Sequence, residues 1–331
     1  MVNWVQVANK QVVHRLAKRA GLRRHAVKVD DAGTVMTIWV PKHKLPAADE
    51  EQRRKKKNVQ RGCSRLSVVL LHGFAGDGIL TWALQVGALA KHYDVYVPDL
   101  LFFGGLTSPA PGRSPGFQSE CVVAALRRLG VERCAVVGFS YGGFVAFRMA
   151  EAHPGLVHSV VATGSLAAMT ASTSDAILRR FGAVSWANGI RIPDNAAGVR
   201  RLFAVGTHGK WWLPDRILKD YLDSFIFNRK DREELLQGMV IGDKDAATIP
   251  SFRHDILLLW GEGDKIFNME LAKGLKEQLG EKATLRSISK AGHLAQLERP
   301  RVFNRCLREF LQRGEVAGVY HDNDVGDVKV V

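Results

Sequence analysis

Cysteine is scarce in this sequence, with four among 331 residues: Cys63, Cys121, Cys134 and Cys306. None is spaced C-x-x-C and they form no dense framework, so a disulfide-stapled secreted scaffold is not indicated and a reducing, cytoplasmic compartment is the expectation. Also missing is any run of about 20 apolar residues free of charge, as a membrane-spanning helix would need. The N-terminus lacks the apolar stretch and small-residue cleavage site of a secretory signal. Nothing in the pattern calls for a metal or an organic cofactor. What remains, 46% hydrophobic and 24% charged residues, is the composition of a globular protein with a large core.

Negative charge is unevenly withheld. No acidic residue precedes Asp30, and residues 1–65 carry 16 Lys and Arg against 5 Asp and Glu, so 11 of the 14 net positive charges lie there. Part of the excess is "RRKKK" (Arg53 to Lys57), between two apolar segments. It reads as a solvated loop, because no aromatic residues interleave with the charges to stack on bases; a nuclear address or nucleic-acid contact is the lesser alternative. The rest lies in residues 1–24, where Trp4, Val5, Ala8, Val12, Val13 and Leu16 recur at near-helical spacing. A basic helix docked on its own domain is expected. A weak peripheral membrane contact, salt-sensitive through Lys10, Arg15, Lys18 and Arg19, or an import role are the alternatives.

Beyond that helix, "HAVKVD" and "TVMTIWV" read as an antiparallel hairpin across "DAG". The segments "LSVVLLHG", "YDVYVPDL", "CAVVGFS", "SVVATGS", "DILLLWG" and "ATLRSIS" then alternate with helical patterns. Several are near-continuous apolar runs, as parallel strands covered on both faces require. The fold class is therefore α/β, a doubly wound, mostly parallel sheet. Residues 165–250 interrupt the alternation with helices and no convincing strand, which predicts a helical cap between core segments 25–164 and 251–313. The tail, 314–331, shows no helical pattern and is expected to be mobile.

The chemistry concentrates where "VVGFSYGGF" (136–144) stops a buried strand at a serine. A sharp strand-to-helix turn needs small neighbours two residues to either side, and Gly138 and Gly142 supply them around Ser140, in the G-x-S-x-G nucleophile-elbow pattern. A neutral hydroxyl needs a general base and a group to orient it. In the order serine, acid, histidine, Asp264 follows "DILLLWG" and His293 follows "ATLRSIS", each beyond a strand's carboxyl end. Glu262, two residues from Asp264, is the competing acid. An oxyanion site would use the amides of Tyr141 and, in "HGFAGDG", of Phe74, with His72 structuring the loop.

These motifs resemble the α/β-hydrolase fold superfamily from about Thr34 to Gln312. More narrowly, "HGFAGDGILTWALQVGALAKHYDVYVPDLLFFGGLTS", "LLWGEGDKIFN" and "KAGHLAQLERP" are similar to a plant branch of soluble serine esterases, distantly related to bacterial meta-cleavage-product hydrolases. The resemblance implies a serine carboxylesterase acting on a metabolite ester, benzyl salicylate being one such aromatic ester, with Ser140 as nucleophile, Asp264 as acid, His293 as base, and Phe74 and Tyr141 as oxyanion donors. One loop departs from the family. Many relatives have a polar R-G-x-G turn after "PDL", whereas this chain reads "LLFFGG". That favours an apolar substrate with Phe102 and Phe103 in its pocket, and Trp211 and Trp212 of the cap as roof.

The alternatives are a carbon–carbon bond hydrolase of meta-cleavage type, which needs polar cap residues such as Arg179, Arg180, Arg200 or Arg201 for the substrate's carboxylate, and a ligand receptor with a slow triad. Epoxide hydrolysis is disfavoured because such relatives have an aspartate where Ser140 stands.

Overall fold

A computed structural model describes residues 2–45, 65–103, 108–187, 192–209, 211–246 and 252–322, with backbone alone for the last nine of these. The Arg53–Lys57 run and Cys63 lie outside the described residues. Eight strands form one sheet: β1 (Leu22–Lys28), β2 (Val35–Pro41), β3 (Ser67–Leu71), β4 (Asp94–Pro98), β5 (Cys134–Phe139), β6 (Val157–Thr163), β9 (Asp255–Gly261) and β10 (Ala283–Ile288). Their order is β1-β2-β4-β3-β5-β6-β9-β10. The first two pairings, β1 with β2 and β2 with β4, are antiparallel and the rest are parallel.

The apolar runs explain this arrangement. Every residue of β4 and β5 is buried, and only the first of β3 and of β9 is not, because helices cover both faces of the sheet. A strand exposed on one face would alternate with polar residues instead. Parallel strands also end on one edge, so the segments after β3, β5, β6, β9 and β10 converge there.

Between β6 and β9 lie helices Ala171–Arg180, Ala196–Gly206, Asp215–Phe225 and Arg229–Gln237. The interval is not wholly without strands. β7 (Met169–Thr170) pairs in parallel with β8 (Val240–Ile241), closing the neck of the inserted segment. Two residues are too few to leave a period in the sequence.

Three other expectations change. The N-terminal helix ends at Arg19, not at residue 24, and β1 begins at Leu22, before "HAVKVD". It consists of Trp4–Ala8 and His14–Arg19 joined by a π-helical stretch, Asn9–Val13. The final helix, Pro300–Asp322, carries helical backbone nine residues into the segment expected to have none. Residues 323–331 are outside the described chain.

The N-terminal helix lies on both the core and the inserted helices. Asn3 Nδ2 donates to the carbonyl of Asp220 (3.0 Å), the Trp4 amide to Asp220 Oδ2 (2.8 Å), and Asn9 Nδ2 to Asp77 Oδ2 (3.1 Å). Ala17 is buried against the core, and His14 meets the edge of Trp39. The helix therefore straps one part of the molecule to the other.

Two buried groups near the strand ends titrate in opposite senses. Burial, with the charge of Asp77 adding to it, pushes the Asp99 carboxyl up from 3.8 to about 7. Burial pushes His72 down from 6.5 to about 4. Native Asp99 keeps a proton that the unfolded chain has lost above pH 3.8, so its contribution to stability falls as pH rises to about 7. Native His72 refuses a proton that the unfolded chain takes up below 6.5, so its contribution falls as pH drops to about 4. The two oppose over most of one window. Asp99→Asn removes only the first, and its stability relative to wild type should grow from pH 4 to pH 7, by up to about 4 kcal/mol. Urea melts across that range test this; a constant difference would contradict it.

Candidate active site

Ser140 leaves β5 with φ 52° and ψ −117°, in the positive-φ region that non-glycine residues rarely enter. The turn is tied at both ends. The Ser140 amide donates to the Thr163 carbonyl on β6 (3.0 Å), and the Gly143 amide donates to the Ser140 carbonyl (2.9 Å). The helix Tyr141–Ala152 starts at once, so the Tyr141 amide is among the donors without an intrahelical acceptor, at the positive end of the helix dipole.

Asp264 follows β9 and His293 follows β10. Their side chains meet, with His293 Nδ1 2.8 Å from Asp264 Oδ2 and both groups buried. A carboxylate can only accept, so Nδ1 carries the hydrogen and Nε2 is left as the basic nitrogen. Nε2 is buried without a hydrogen-bond partner among the described residues. The other Asp264 oxygen accepts from the amides of Ile266 (2.8 Å) and Phe267 (2.9 Å), which fixes the carboxylate's orientation. Glu262 is turned elsewhere, exposed and accepting from Ser287 Oγ (2.9 Å).

A glycine that sequence reasoning passed over makes this pair fit. Gly164, the residue after β6, has φ 53°, and a Cβ there would lie 2.7 Å from His293 Nδ1 and 3.1 Å from Asp264 Oδ2. Its signal was its position, directly after a parallel strand on the edge that holds Ser140.

Phe74 follows β3 and is held from three sides. His72 Nδ1 donates to the Gly73 carbonyl (2.7 Å), and His72 Nε2 accepts from the Leu100 amide (2.9 Å), a tautomer that matches its lowered basicity. From the inserted helices, Arg232 Nη1 donates to the Phe74 carbonyl (2.7 Å) and the Tyr221 hydroxyl donates to the Ala75 carbonyl. Arg232 is 1% exposed, and its other donors go to the carbonyls of Phe227 and Phe225. Burial lowers it to about 10, so it stays charged at neutral pH. Nothing in "KDREELLQ" marks this arginine off from a surface charge, and sequence reasoning missed it.

A cavity of about 260 Å³ opens beside Ser140 and His293. Phe74, Phe139, Leu202, Phe203, Ile266 and Leu294 are among its apolar walls, and no Lys, Arg, Asp or Glu lines it among the described residues. Trp211 lines it too, and Val5 reaches it from the N-terminal helix. Trp212 does not; it is 81% exposed. Phe102 and Phe103 do not either, contrary to expectation. Gln118 brackets the backbone N–H and C=O of Leu101, and His72 holds Leu100, which draws the loop into the core. Phe103 packs behind the pocket against His72, Phe74 and Tyr141, while Phe102 lies under the Arg113 guanidinium.

A doubly wound sheet with a serine at an elbow and a histidine–aspartate pair on the same edge defines a class, and the comparisons agree with it. A family model described as alpha/beta hydrolase fold matches residues 67–300, and the chain belongs to that family. Among curated relatives, 2-hydroxymuconate semialdehyde hydrolase of Pseudomonas sp. (strain CF600) is 25% identical over 276 residues, covering 79% of this chain and 92% of that protein. Epoxide hydrolase 3 of Xenopus tropicalis is 24% identical over 265 residues, 74% of this chain and 71% of that one. Among solved structures, a bacterial membrane phospholipase A superposes with a TM-score of 0.73 at 22% identity, covering 94% and 92% of the two chains. A 2-hydroxy-6-oxo-6-phenylhexa-2,4-dienoate hydrolase from Rhodococcus sp. strain RHA1 gives 0.66 at 21%, covering 88% and 99%.

Gly164→Ala should displace the imidazole–carboxylate pair while leaving the elbow in place. A shift of order 1 Å in a reacting group costs roughly 100-fold, so kcat/KM for any hydrolysed substrate should fall by about that factor, with a melting temperature lowered by a few degrees because alanine is strained at positive φ. Wild-type kinetics in this variant would show that the pair does not depend on the gap.

Proposed function

We propose that the protein is a serine carboxylesterase for a small apolar ester, working through an acyl-enzyme. The observation that carries this is the uncharged, largely apolar wall of the cavity that Ser140 and His293 share. In this reading His293 Nε2 takes the Ser140 hydroxyl proton as Oγ attacks the ester carbonyl. The oxyanion is received by the amides of Phe74 and Tyr141. The C–O bond then breaks and the alcohol leaves with the proton that His293 returns. Water, deprotonated by the same nitrogen, attacks the acyl-enzyme, and Ser140 regains its proton as the acid departs. Asp264 holds the imidazole tautomer and stabilises the imidazolium throughout.

The same wall weighs against the carbon–carbon hydrolase reading, even though relatives are named for such reactions. An anionic substrate would need a cation in the cavity. Arg180 instead donates to the carbonyls of Lys265 and Ile266, Arg200 pairs with Asp215, Arg201 lines a separate cavity, and Arg179 is exposed. Phe203 and Trp211, with ring centroids 6.0 Å apart and both lining the cavity, give an aromatic acyl or alcohol group a surface to stack on. An aromatic metabolite ester of the benzyl salicylate type, as the plant esterase branch implies, is the substrate class proposed.

Ser140→Ala should abolish ester hydrolysis with the fold retained, and a serine-directed organophosphonate should label Ser140 alone on peptide mapping. A variant with wild-type kcat, or label at another serine, would sink the mechanism. Phe203→Ala and Trp211→Ala should lower kcat/KM for aromatic esters by about tenfold or more, from lost burial of about 1.5–3 kcal/mol, and spare short acetyl esters. Phe103→Ala, behind the pocket, should depress both substrates together with the melting temperature. Equal losses on both substrates in the first two variants would remove the aromatic pocket.

A further inference from the structure

The N-terminal helix buries one side and leaves the other bare. Val5, Asn9, Val13 and Ala17 face the molecule, while Trp4 (57% exposed), Val12 (56%) and Leu16 (41%) stand in solvent, with Val2 and Val7 beside them. Of ten exposed large hydrophobics among the described residues, these are five, and Trp211 and Trp212 add two more just before the helix Asp215–Phe225 on which the strap rests. Exposed apolar residues scattered singly need no explanation, but a cluster of this kind marks a contact surface.

Charge narrows the choice of partner. Lys10, Arg15, Lys18 and Arg19 are exposed on the same helix, which has no acidic residue. The carboxylates of the elements beneath it are engaged: Asp77 with Asn9 and the Leu80 amide, Asp220 with the Trp4 amide and Arg216, Asp215 with Arg200. Asp223 is exposed on the same cap helix. A second copy of this chain would bring four cations against four. Apolar side chains flanked by uncompensated cations suit an interface of acyl chains and anionic headgroups. The patch also reaches the cavity, since the exposed Trp211 lines it and Val5, on the inward side of the same helix, forms part of its wall.

We propose that this face seats the protein on an anionic phospholipid bilayer, its apolar side chains at the boundary between headgroups and acyl chains and its cations against lipid phosphates. The cavity mouth then opens toward the bilayer, and an apolar substrate enters without crossing water; this second step rests on the ester reading, the docking itself does not.

Full-length Ser140→Ala protein, which binds without turnover, should be sedimented with vesicles of phosphatidylcholine alone and of half phosphatidylglycerol. Binding to the anionic vesicles should be at least about tenfold tighter and weaken with salt. The triple variant Trp4→Ser, Val12→Gln, Leu16→Gln alters only exposed side chains and should keep the wild-type melting temperature yet lose about tenfold in vesicle affinity. Replacing the four cations by Gln should erase the preference for anionic lipid. The proposal is overturned by no sedimentation with anionic vesicles, by ionic adsorption that the triple variant leaves unchanged, or by a dimer in sedimentation velocity that the triple variant dissociates. None of these outcomes depends on hydrolysis, so a failed ester assay and a failed docking assay remain separate results.

Discussion

Between Gly138 and the start of the following helix there is space for a hydrogen and not for a methyl group. A Cβ on Gly138 would lie 2.4 Å from the Gly142 carbonyl oxygen, and one on Gly142 would lie 2.5 Å from that of Leu71 on the neighbouring strand. Backbone therefore meets backbone where β3, β5 and the helix Tyr141–Ala152 converge, and Ser140 is squeezed into positive φ. A conformation of that kind costs on the order of 1–3 kcal/mol and persists because its surroundings over-determine it. Here the surroundings are a fully buried central strand and a hydrogen bond from Ser140 to Thr163. The close approach also brings the end of β3, and with it the Phe74 loop, beside the serine.

The parts of the site legible in the sequence are those set by the end of a single strand. Ser140 and Asp264 follow apolar runs and His293 follows the mixed-polarity edge strand β10, and parallel strands bring such positions to one edge whatever lies elsewhere. Position favoured Asp264 and left Glu262 as a competitor, because either could reach a loop; in the structure Asp264 meets His293 with its other oxygen held by the amides of Ile266 and Phe267, while Glu262 accepts from Ser287. Phe102 and Phe103 misled because proximity to the active edge says nothing about which way a loop folds. Gln118, fifteen or more residues further on, turns this one inward. Val5 and Arg232 were invisible for the same reason, since both act through contacts with segments remote in sequence.

Polar ties bind the inserted helices to the active edge, beside the apolar side chains of Ile177, Leu178, Leu235 and Leu236 that share one core cluster with the sheet. Glu298, five residues after His293, accepts from the amides of His208, Gly209 and Gly292. Lys265, next to Asp264, donates to the carbonyls of Ala204 and Thr207. The loops that present the acid and the histidine are thus shared property of sheet and insert, and the N-terminal strap adds a third attachment at Asp220.

Arg232 carries the most consequential of these attachments. Its positive charge is balanced by the dipoles of three carbonyls and by the faces of Phe74 and Phe103, with no carboxylate partner among the described residues. Part of the polypeptide that is expected to select a substrate thereby also shapes the loop expected to stabilise its transition state. The insert is not an interchangeable module. Grafting a relative's insert onto this sheet would transplant a different grip on the Phe74 loop, so chimeras in this family should inherit turnover together with selectivity, and drift in the insert is held back by the needs of chemistry performed on the sheet below it.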